Sequence, residues 1–222
     1  MKNYKKNLKL LENNYVYSKQ MEHDACGVGV IASTEGKKSR KIVEYGIEAL
    51  KAVWHRGAVD ADGKTGDGAG IHVEIPKDFF IEKIEVTGHD YKGSEICVGM
   101  IFLPRNDYAA QESCKTIVES ELTKNNFSIY GWRQVPVNPK VLGDKALQTM
   151  PEIIQVLFKP NDPNLFDKEL ERKIYETRKR IENKAFQSSL NNFYICSISS
   201  KSIIYKGLYL AEAISDFYLD LK

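Results

Sequence analysis

Short apolar runs typical of β-strands are separated in this chain by helical patterns of very different lengths, and this order restricts the fold. Strands are predicted at 26–32, 71–75, 96–103, 127–137, 151–159, 193–199 and 202–208. Helices are predicted at about 40–54, 106–125, 166–187 and 209–218, and Asn106 is expected to cap the second of them. A regular βαβ winding needs crossovers of similar length, so the order favours a layered α+β domain. The last two strands are expected to close as a hairpin around Ser200 and Lys201.

One helix and one strand enclose a long segment without periodicity. The apolar residues Val43, Ile47, Leu50 and Trp54 recur at helical spacing, whereas Ile71, Val73 and Ile75 alternate as in a strand. His72 falls on the opposite face of that strand and is expected to be exposed. Between them, residues 57–70 contain five glycines and no period, which indicates a loop. Long loops of this kind often carry function.

Composition excludes several classes of function. Thirty-two Lys and Arg against 30 Asp and Glu leave a net charge of +2, too balanced to indicate binding to nucleic acid or to a membrane surface. No apolar run approaches the roughly 20 residues that a membrane span needs. Residues 1–21 are Lys- and Asn-rich, without the apolar centre of a secretory signal, and are expected to be irregular. We therefore expect a cytoplasmic protein with reduced thiols.

Among the four cysteines, Cys26 has a distinct neighbourhood. Cys97, Cys114 and Cys196 lie on apolar faces of predicted elements and are expected to be small core residues. Cys26 stands beside Gly27, between the polar leader and an apolar run that suits a strand buried on both faces. Burial remains the ordinary interpretation of Cys26 too. The four histidines form no recognisable Cys–His pair or metal motif.

The sequence TGDGAG, residues 65–70, is the most glycine-rich part of the loop. It has neither the GxxxxGK[ST] nor the GxGxxG order, so a nucleotide site is poorly supported and a tight turn near another site is favoured. Just before the loop, HRG at residues 55–57 offers a guanidinium group. Surface solvation and recognition of a carboxylate are both open for Arg56.

Longer strings resemble a known family. EHDACGVGVIA, then IVEYGIEALKAVWHRGAVDADGKTGDGAGIHVEIPKDFF, resemble the class II glutamine amidotransferase domain at the start of the glutamate synthase large subunit. IYGWRQVPVNPKVLGDKA and FYICSISSKSIIYKGLYLAEAISDFY follow in the same order as in that domain. The resemblance extends from about Met21 to Lys222.

The resemblance implies an N-terminal-nucleophile fold, a four-layer αββα sandwich of antiparallel sheets. Residues 1–25 would be a propeptide and residues 26–222 the N-terminal part of the amidotransferase domain. Cys26 would be the catalytic nucleophile that attacks L-glutamine. Arg56, Gly57, Asp67 and Gly68 would bind the substrate. The mature cysteine's own α-amino group can act as its base, so no histidine is required.

The resemblance also implies what lies outside these residues. FMN and an iron–sulfur cluster belong to later domains of the family, together with an electron-donor subunit or ferredoxin, and no cofactor is expected within this chain. The family's substrate-carboxylate arginine and its oxyanion-hole Asn-Gly pair come after the region that matches Lys222. The sandwich is thus expected to be incomplete at the C-terminus and the isolated fragment nearly inert. The alternative is a non-catalytic scaffold or assembly module that retains the fold.

Overall fold

The computed structural model describes residues 2–14, 18, 27–53, 58–93 and 95–222. The helices in these ranges are α1 (Lys2–Asn14), α2 (Arg40–Ala52), α3 (Lys77–Val86), α4 (Tyr108–Lys124), α5 (Asp144–Thr149), α6 (Asp167–Gln187) and α7 (Ile214–Phe217). The strands are β1 (Ala69–Glu74), β2 (Cys97–Leu103), β3 (Phe127–Gln134), β4 (Glu152–Pro160), β5 (Tyr194–Ser199) and β6 (Ser202–Gly207). The mixture of helices and antiparallel strands confirms the α+β class.

The strands form two antiparallel sheets. One has four strands in the order β3-β4-β2-β5, and the other pairs β1 with β6. Strand β2 is buried on both faces, because Val98 and Met100 belong to one hydrophobic core and Cys97, Ile101 and Leu103 to the other. The predicted apolar run at 96–103 is therefore confirmed as a central strand, and its continuous burial explains why it lacks polar alternation.

Helices α4 and α6 cover the outer face of the four-stranded sheet. Their buried residues Cys114, Val118, Leu122, Leu170, Ile174 and Ile181 pack with strands β2, β4 and β5. On the opposite face a second core joins the sheet to β1, β6, α2 and α3. The predicted helical stripe of α2 is confirmed in its described part, where Ile47 is buried and Val43 and Leu50 pack on this core.

The predicted hairpin of the last two strands is wrong. Strand β5 belongs to the four-stranded sheet, whereas β6 pairs with β1 through Ile71 opposite Tyr205. Glu171 of α6 holds the connecting turn, accepting hydrogen bonds of 2.7 Å from the backbone N–H and from the hydroxyl of Ser200. The chain thus changes sheets here because β1 supplies the backbone partners of β6, a pairing that local sequence does not encode.

Three further expectations are corrected. Residues 26–32 are predicted as a buried strand, yet residues 27–32, the part that the structure describes, have no strand structure, and Val28 and Val30 are each 86% exposed. A strand needs a neighbour for its backbone groups, and no described residue pairs with this segment.

The leader contains helix α1, which its Lys, Leu and Glu residues favour. Asp107, not Asn106, caps α4 by accepting a hydrogen bond from the Ala110 N–H at 2.9 Å.

No helix within the described ranges combines the length and the apolar character needed to cross a membrane.

Candidate active site

The predicted site residues fall into two groups. Cys26, Arg56 and Gly57 lie outside the residues that the structure describes. Asp67 and Gly68 are described, and both are exposed at the end of the glycine-rich loop, directly before β1. The geometry of the site is therefore built from residues 58–70 and from the elements that hold them.

Residues 58–67 form a small hairpin-like loop. Val59 and Gly66 make an antiparallel bridge, and the Asp60 N–H donates to the Thr65 carbonyl at 2.8 Å. At the open end, the Ala58 N–H donates to Asp67 Oδ2 at 2.9 Å and the Asp67 N–H donates to the Ala58 carbonyl at 3.3 Å. Asp67 thus closes the stem by pairing with Ala58, the residue that follows Arg56 and Gly57 in the sequence.

The glycines of TGDGAG allow this loop to lie against the chain around β6. A Cβ at Gly70 would stand 2.8 Å from Lys206 Cβ, and one at Gly66 would stand 3.0 Å from the Tyr209 carbonyl oxygen. Gly68 has a φ of +122°, which side chains rarely tolerate. Close packing and backbone conformation account for these glycines. The expected tight turn lies just before TGDGAG, where the Gly63 N–H donates to the Asp60 carbonyl at 2.9 Å, and residues 65–70 themselves lead from the loop into β1.

Asp62 organises the tip of the loop. Its Oδ1 accepts hydrogen bonds from the N–H groups of Lys64 at 2.9 Å and Thr65 at 2.7 Å, while its Oδ2 accepts from the Thr65 hydroxyl at 2.6 Å. These three donors favour the ionised carboxylate and hold the pKa of Asp62 well below its ordinary value. The arrangement is an Asx turn, and it fixes the conformation of residues 62–65.

The N-terminal end of α5 docks on this tip. The Thr65 hydroxyl, in a residue only 5% exposed, accepts a hydrogen bond from the Ala146 N–H at 3.4 Å. Gly143, just before α5, approaches so closely that a Cβ there would lie 2.2 Å from Asp62 Oδ2 and 2.4 Å from Thr65 Oγ1. Glycine at 143 is therefore a steric requirement of the contact.

An ion pair reinforces the same contact. Lys145 Nζ lies 2.6 Å from Asp60 Oδ2. The hydrogen bond from Lys145 lowers the pKa of Asp60, and the same bond raises the pKa of Lys145. Lys145 is largely exposed, so this pair adds orientation more than stability.

The described cysteines are unsuited to nucleophilic chemistry. Cys97, Cys114 and Cys196 are free and buried. Burial raises the pKa of Cys114 and of Cys196 to about 11, and that of Cys97 well above its ordinary value. A buried thiol with a raised pKa carries little of the reactive thiolate at neutral pH. Their expected role as core residues is confirmed.

The described residues supply no site for a metal cluster. Cys97 and Cys114 lie in one core and Cys196 in the other, and no group of three or more His, Cys, Asp or Glu side chains in the described ranges could hold a metal ion. The described part of the chain thus does not fit the iron–sulfur cluster implied for the longer family proteins.

Sequence reasoning missed the supports of the loop. Asp62, Thr65, Gly143 and Lys145 were not singled out. The local signal was present in the Asp62-Gly63 turn and in the D-x-x-T spacing of Asp62 and Thr65. The contact with residues 143–146 had no signal, because it joins segments about 80 residues apart.

Comparison with known proteins shows what the sequence of this chain is similar to. The model of the class-II glutamine amidotransferases matches residues 26–222. The chain is 51% identical to the NADPH glutamate synthase large chain of Azospirillum brasilense over 218 residues, which cover 98% of this chain and 14% of that protein. It is 40% identical to ferredoxin-dependent glutamate synthase 1 of Arabidopsis thaliana over 203 residues, 90% of this chain and 12% of that protein. The chain thus spans about one seventh of the length of such relatives.

Proposed function

Because this chain belongs to the class-II glutamine amidotransferases, we propose that it hydrolyses the side-chain amide of L-glutamine with Cys26 as the nucleophile. The match of the family model from residue 26 to residue 222 is the observation that carries the proposal. The burial of Cys97, Cys114 and Cys196 supports it, since these thiols have little access to a substrate.

In this proposal residues 1–25 are removed and Cys26 becomes the first residue. Its α-amino group, with a reference pKa of about 7.7 to 8.0, accepts the proton of a thiol whose reference pKa is about 8.5. The sulfur attacks the amide carbon and forms a tetrahedral oxyanion. The carbon–nitrogen bond then breaks, and the nitrogen leaves as ammonia with the transferred proton. Water hydrolyses the γ-glutamyl thioester, which releases glutamate and restores the thiol.

Arg56, Gly57, Asp67 and Gly68 bind the substrate in this scheme. The guanidinium of Arg56 can donate hydrogen bonds to the substrate in the pocket beside the nucleophile. Asp67 lies on the loop directly after the HRG segment, and it accepts a hydrogen bond from the N–H of Ala58, the residue that follows Gly57 in the sequence. Gly68 lets the backbone turn into β1 beside Asp67.

The ammonia has a consumer in the longer relatives. The similar proteins are named glutamate synthases, so we propose that this chain supplies ammonia for glutamate synthesis from 2-oxoglutarate. FMN, the iron–sulfur cluster and the electron donor, whether a subunit or ferredoxin, belong in this proposal to the remainder of a synthase. The two sheets and their flanking helices are interpreted as an incomplete αββα sandwich.

Ammonia release from glutamine tests the proposal. The unmodified chain is expected to release ammonia above the level of Cys26→Ser, and Cys196→Ala, which removes a buried thiol, should keep the activity. The scaffold alternative would be favoured if the unmodified chain released ammonia no faster than Cys26→Ser and a diazo-ketone glutamine analogue did not label Cys26. These 222 residues alone are predicted to turn glutamine over slowly, and the same ammonia-release assay measures that rate.

A further inference from the structure

The contact between the loop tip and α5 has a consequence for the substrate site. We propose that Asp62, Thr65 and the start of α5 position the loop that carries Asp67, and thereby set the affinity for glutamine. This inference rests on the proposed function, because it takes residues 56–57 and 67–68 as part of the glutamine pocket.

The first step is the fixation of the tip. Asp62 uses both carboxylate oxygens on three donors within the loop, so its side chain is committed to the turn and is not free for a ligand. Thr65 is buried and accepts the Ala146 N–H, and Gly143 contacts both side chains without room for a Cβ. The tip is therefore held against the N-terminal end of α5.

The second step is transmission along the stem. The pairs Asp60–Thr65 and Val59–Gly66 connect the tip to the closing pair, in which the Asp67 carboxylate accepts the Ala58 N–H. Beyond Asp67 the chain enters β1, which is held by its ladder with β6. The loop is thus anchored at α5 and at β1, and a change at the tip is expected to displace the Asp67–Ala58 pair.

The third step is the chemical role. Asp62, Thr65 and Gly143 are positioning residues, since their contacts are with the loop and α5. Misplacement of a substrate-binding group by about 1 Å can lower catalytic efficiency by about 10²-fold. The nucleophile lies on a different segment, so loss of the anchor should weaken glutamine recognition without changing the intrinsic reactivity of Cys26.

The test separates recognition from reactivity. Inactivation of Cys26 by a diazo-ketone glutamine analogue gives an inhibition constant and a maximal rate, and iodoacetamide reports the reactivity of the thiol without glutamine recognition. Asp62→Ala is expected to raise the inhibition constant about 10-fold or more, with the iodoacetamide rate unchanged within about 2-fold. Asp62→Asn retains an oxygen that can accept from the Lys64 and Thr65 N–H groups and should restore most of the affinity.

Asp162→Ala is the matched control, because Asp162 makes a similar exposed turn with the Asn164 N–H at 2.9 Å, in another part of the chain. Asp162→Ala should leave both the inhibition constant for the analogue and the iodoacetamide rate unchanged. Hydrogen exchange gives a readout besides inactivation: peptides covering residues 58–67 should exchange faster in Asp62→Ala, while those of β5 and β6 should not.

The outcomes distinguish the two proposals. Suppose that the analogue labels the unmodified chain and that its inhibition constant is the same in Asp62→Ala. This result would overturn the positioning role and leave the proposed function standing. Equal losses of analogue and iodoacetamide reactivity would overturn it as well, because they indicate general unfolding. Absence of any labelling of Cys26 in the unmodified chain would contradict the proposed function and the inference about glutamine with it. Unchanged exchange of residues 58–67 would by itself overturn the anchoring by Asp62.

Discussion

Gly143 shows how the absence of a side chain allows the loop at residues 58–67 to pack against the start of α5. Its φ of −75° is accessible to any residue, so the glycine is not needed for backbone conformation. It is needed because Asp62 and Thr65 occupy the space in which its Cβ would lie. An alanine at 143 must therefore break the Asp62–Thr65 contact or move α5.

We predict that Gly143→Ala lowers the free energy of unfolding by about 1–3 kcal/mol through overpacking. Gly29→Ala is the control, since no atom lies within 4 Å of a Cβ at that position, and its effect should stay within about 0.5 kcal/mol. Urea unfolding measures both. Equal stabilities of the two variants would show that the tip does not press on residue 143.

Single residues were predictable where their chemistry is local. Cys97, Cys114 and Cys196 are core residues, as the apolar runs around them indicated. His72 is exposed because it alternates with Ile71 and Val73 on β1, also as expected. Gly143 could not be foreseen, because nothing near it in the sequence reports the presence of Asp62.

A buried carboxylate on α4, that of Glu121, connects this helix to α6. Glu121 is only 4% exposed and accepts a hydrogen bond from Lys184 of α6, with Lys124 at 3.6 Å. The hydrogen bond from Lys184 lowers the pKa of Glu121 despite the opposing effect of desolvation. Since the folded pKa is below the unfolded one, the stabilisation is present above the unfolded pKa and is lost as the pH falls through the folded pKa.

We predict that Glu121→Gln lowers the urea midpoint at about pH 7, and that the difference from the unmodified chain shrinks as the pH falls below the ordinary glutamate pKa of about 4.3 and through the lowered pKa of the folded state. Glu112→Gln on the same helix, whose side chain is 71% exposed, should show little difference at either pH. A difference in urea midpoint between Glu121→Gln and the unmodified chain that stays constant with pH would contradict stabilisation by the ionised Glu121 carboxylate.

Elements with strong local patterns were predicted well, and pairings between distant segments were not. Helix α6 lies at Asp167–Gln187 against a predicted 166–187, because Leu170, Ile174 and Ile181 mark its buried side. Helix α3 was missed, since it is short and follows Pro76 without a clear stripe. The pairing of β6 with β1 depends on contacts across about 130 residues, which periodicity does not report.

The last turn of the chain ties the two sheets together. Arg133 of β3 donates two hydrogen bonds to Asp220, at 2.7 and 2.6 Å, and the side chains are only 14% and 5% exposed. The Tyr218 hydroxyl donates to the Lys206 carbonyl of β6 at 2.8 Å. Arg40 of α2 donates to the Leu221 carbonyl. Residues 218–221 thus connect both sheets with α2.

We predict that Asp220→Ala lowers the free energy of unfolding by about 3–5 kcal/mol, because it leaves the buried guanidinium of Arg133 without its charged partner. Asp216→Ala, which removes an exposed pair with Lys222, should cost less than about 1 kcal/mol. Thermal or urea unfolding decides. Similar stabilities of the two variants would mean that the Arg133 pair does not hold the sheets together.

The most direct measurement is the intact mass and peptide map of the purified chain after reaction with the diazo-ketone glutamine analogue. We predict a polypeptide that begins at Cys26 and carries a single adduct on the Cys26 sulfur, because the freed amine activates that thiol and burial protects Cys97, Cys114 and Cys196. A chain that retains residues 1–25 and remains unlabelled, or one labelled at a buried cysteine instead, would contradict an N-terminal cysteine nucleophile.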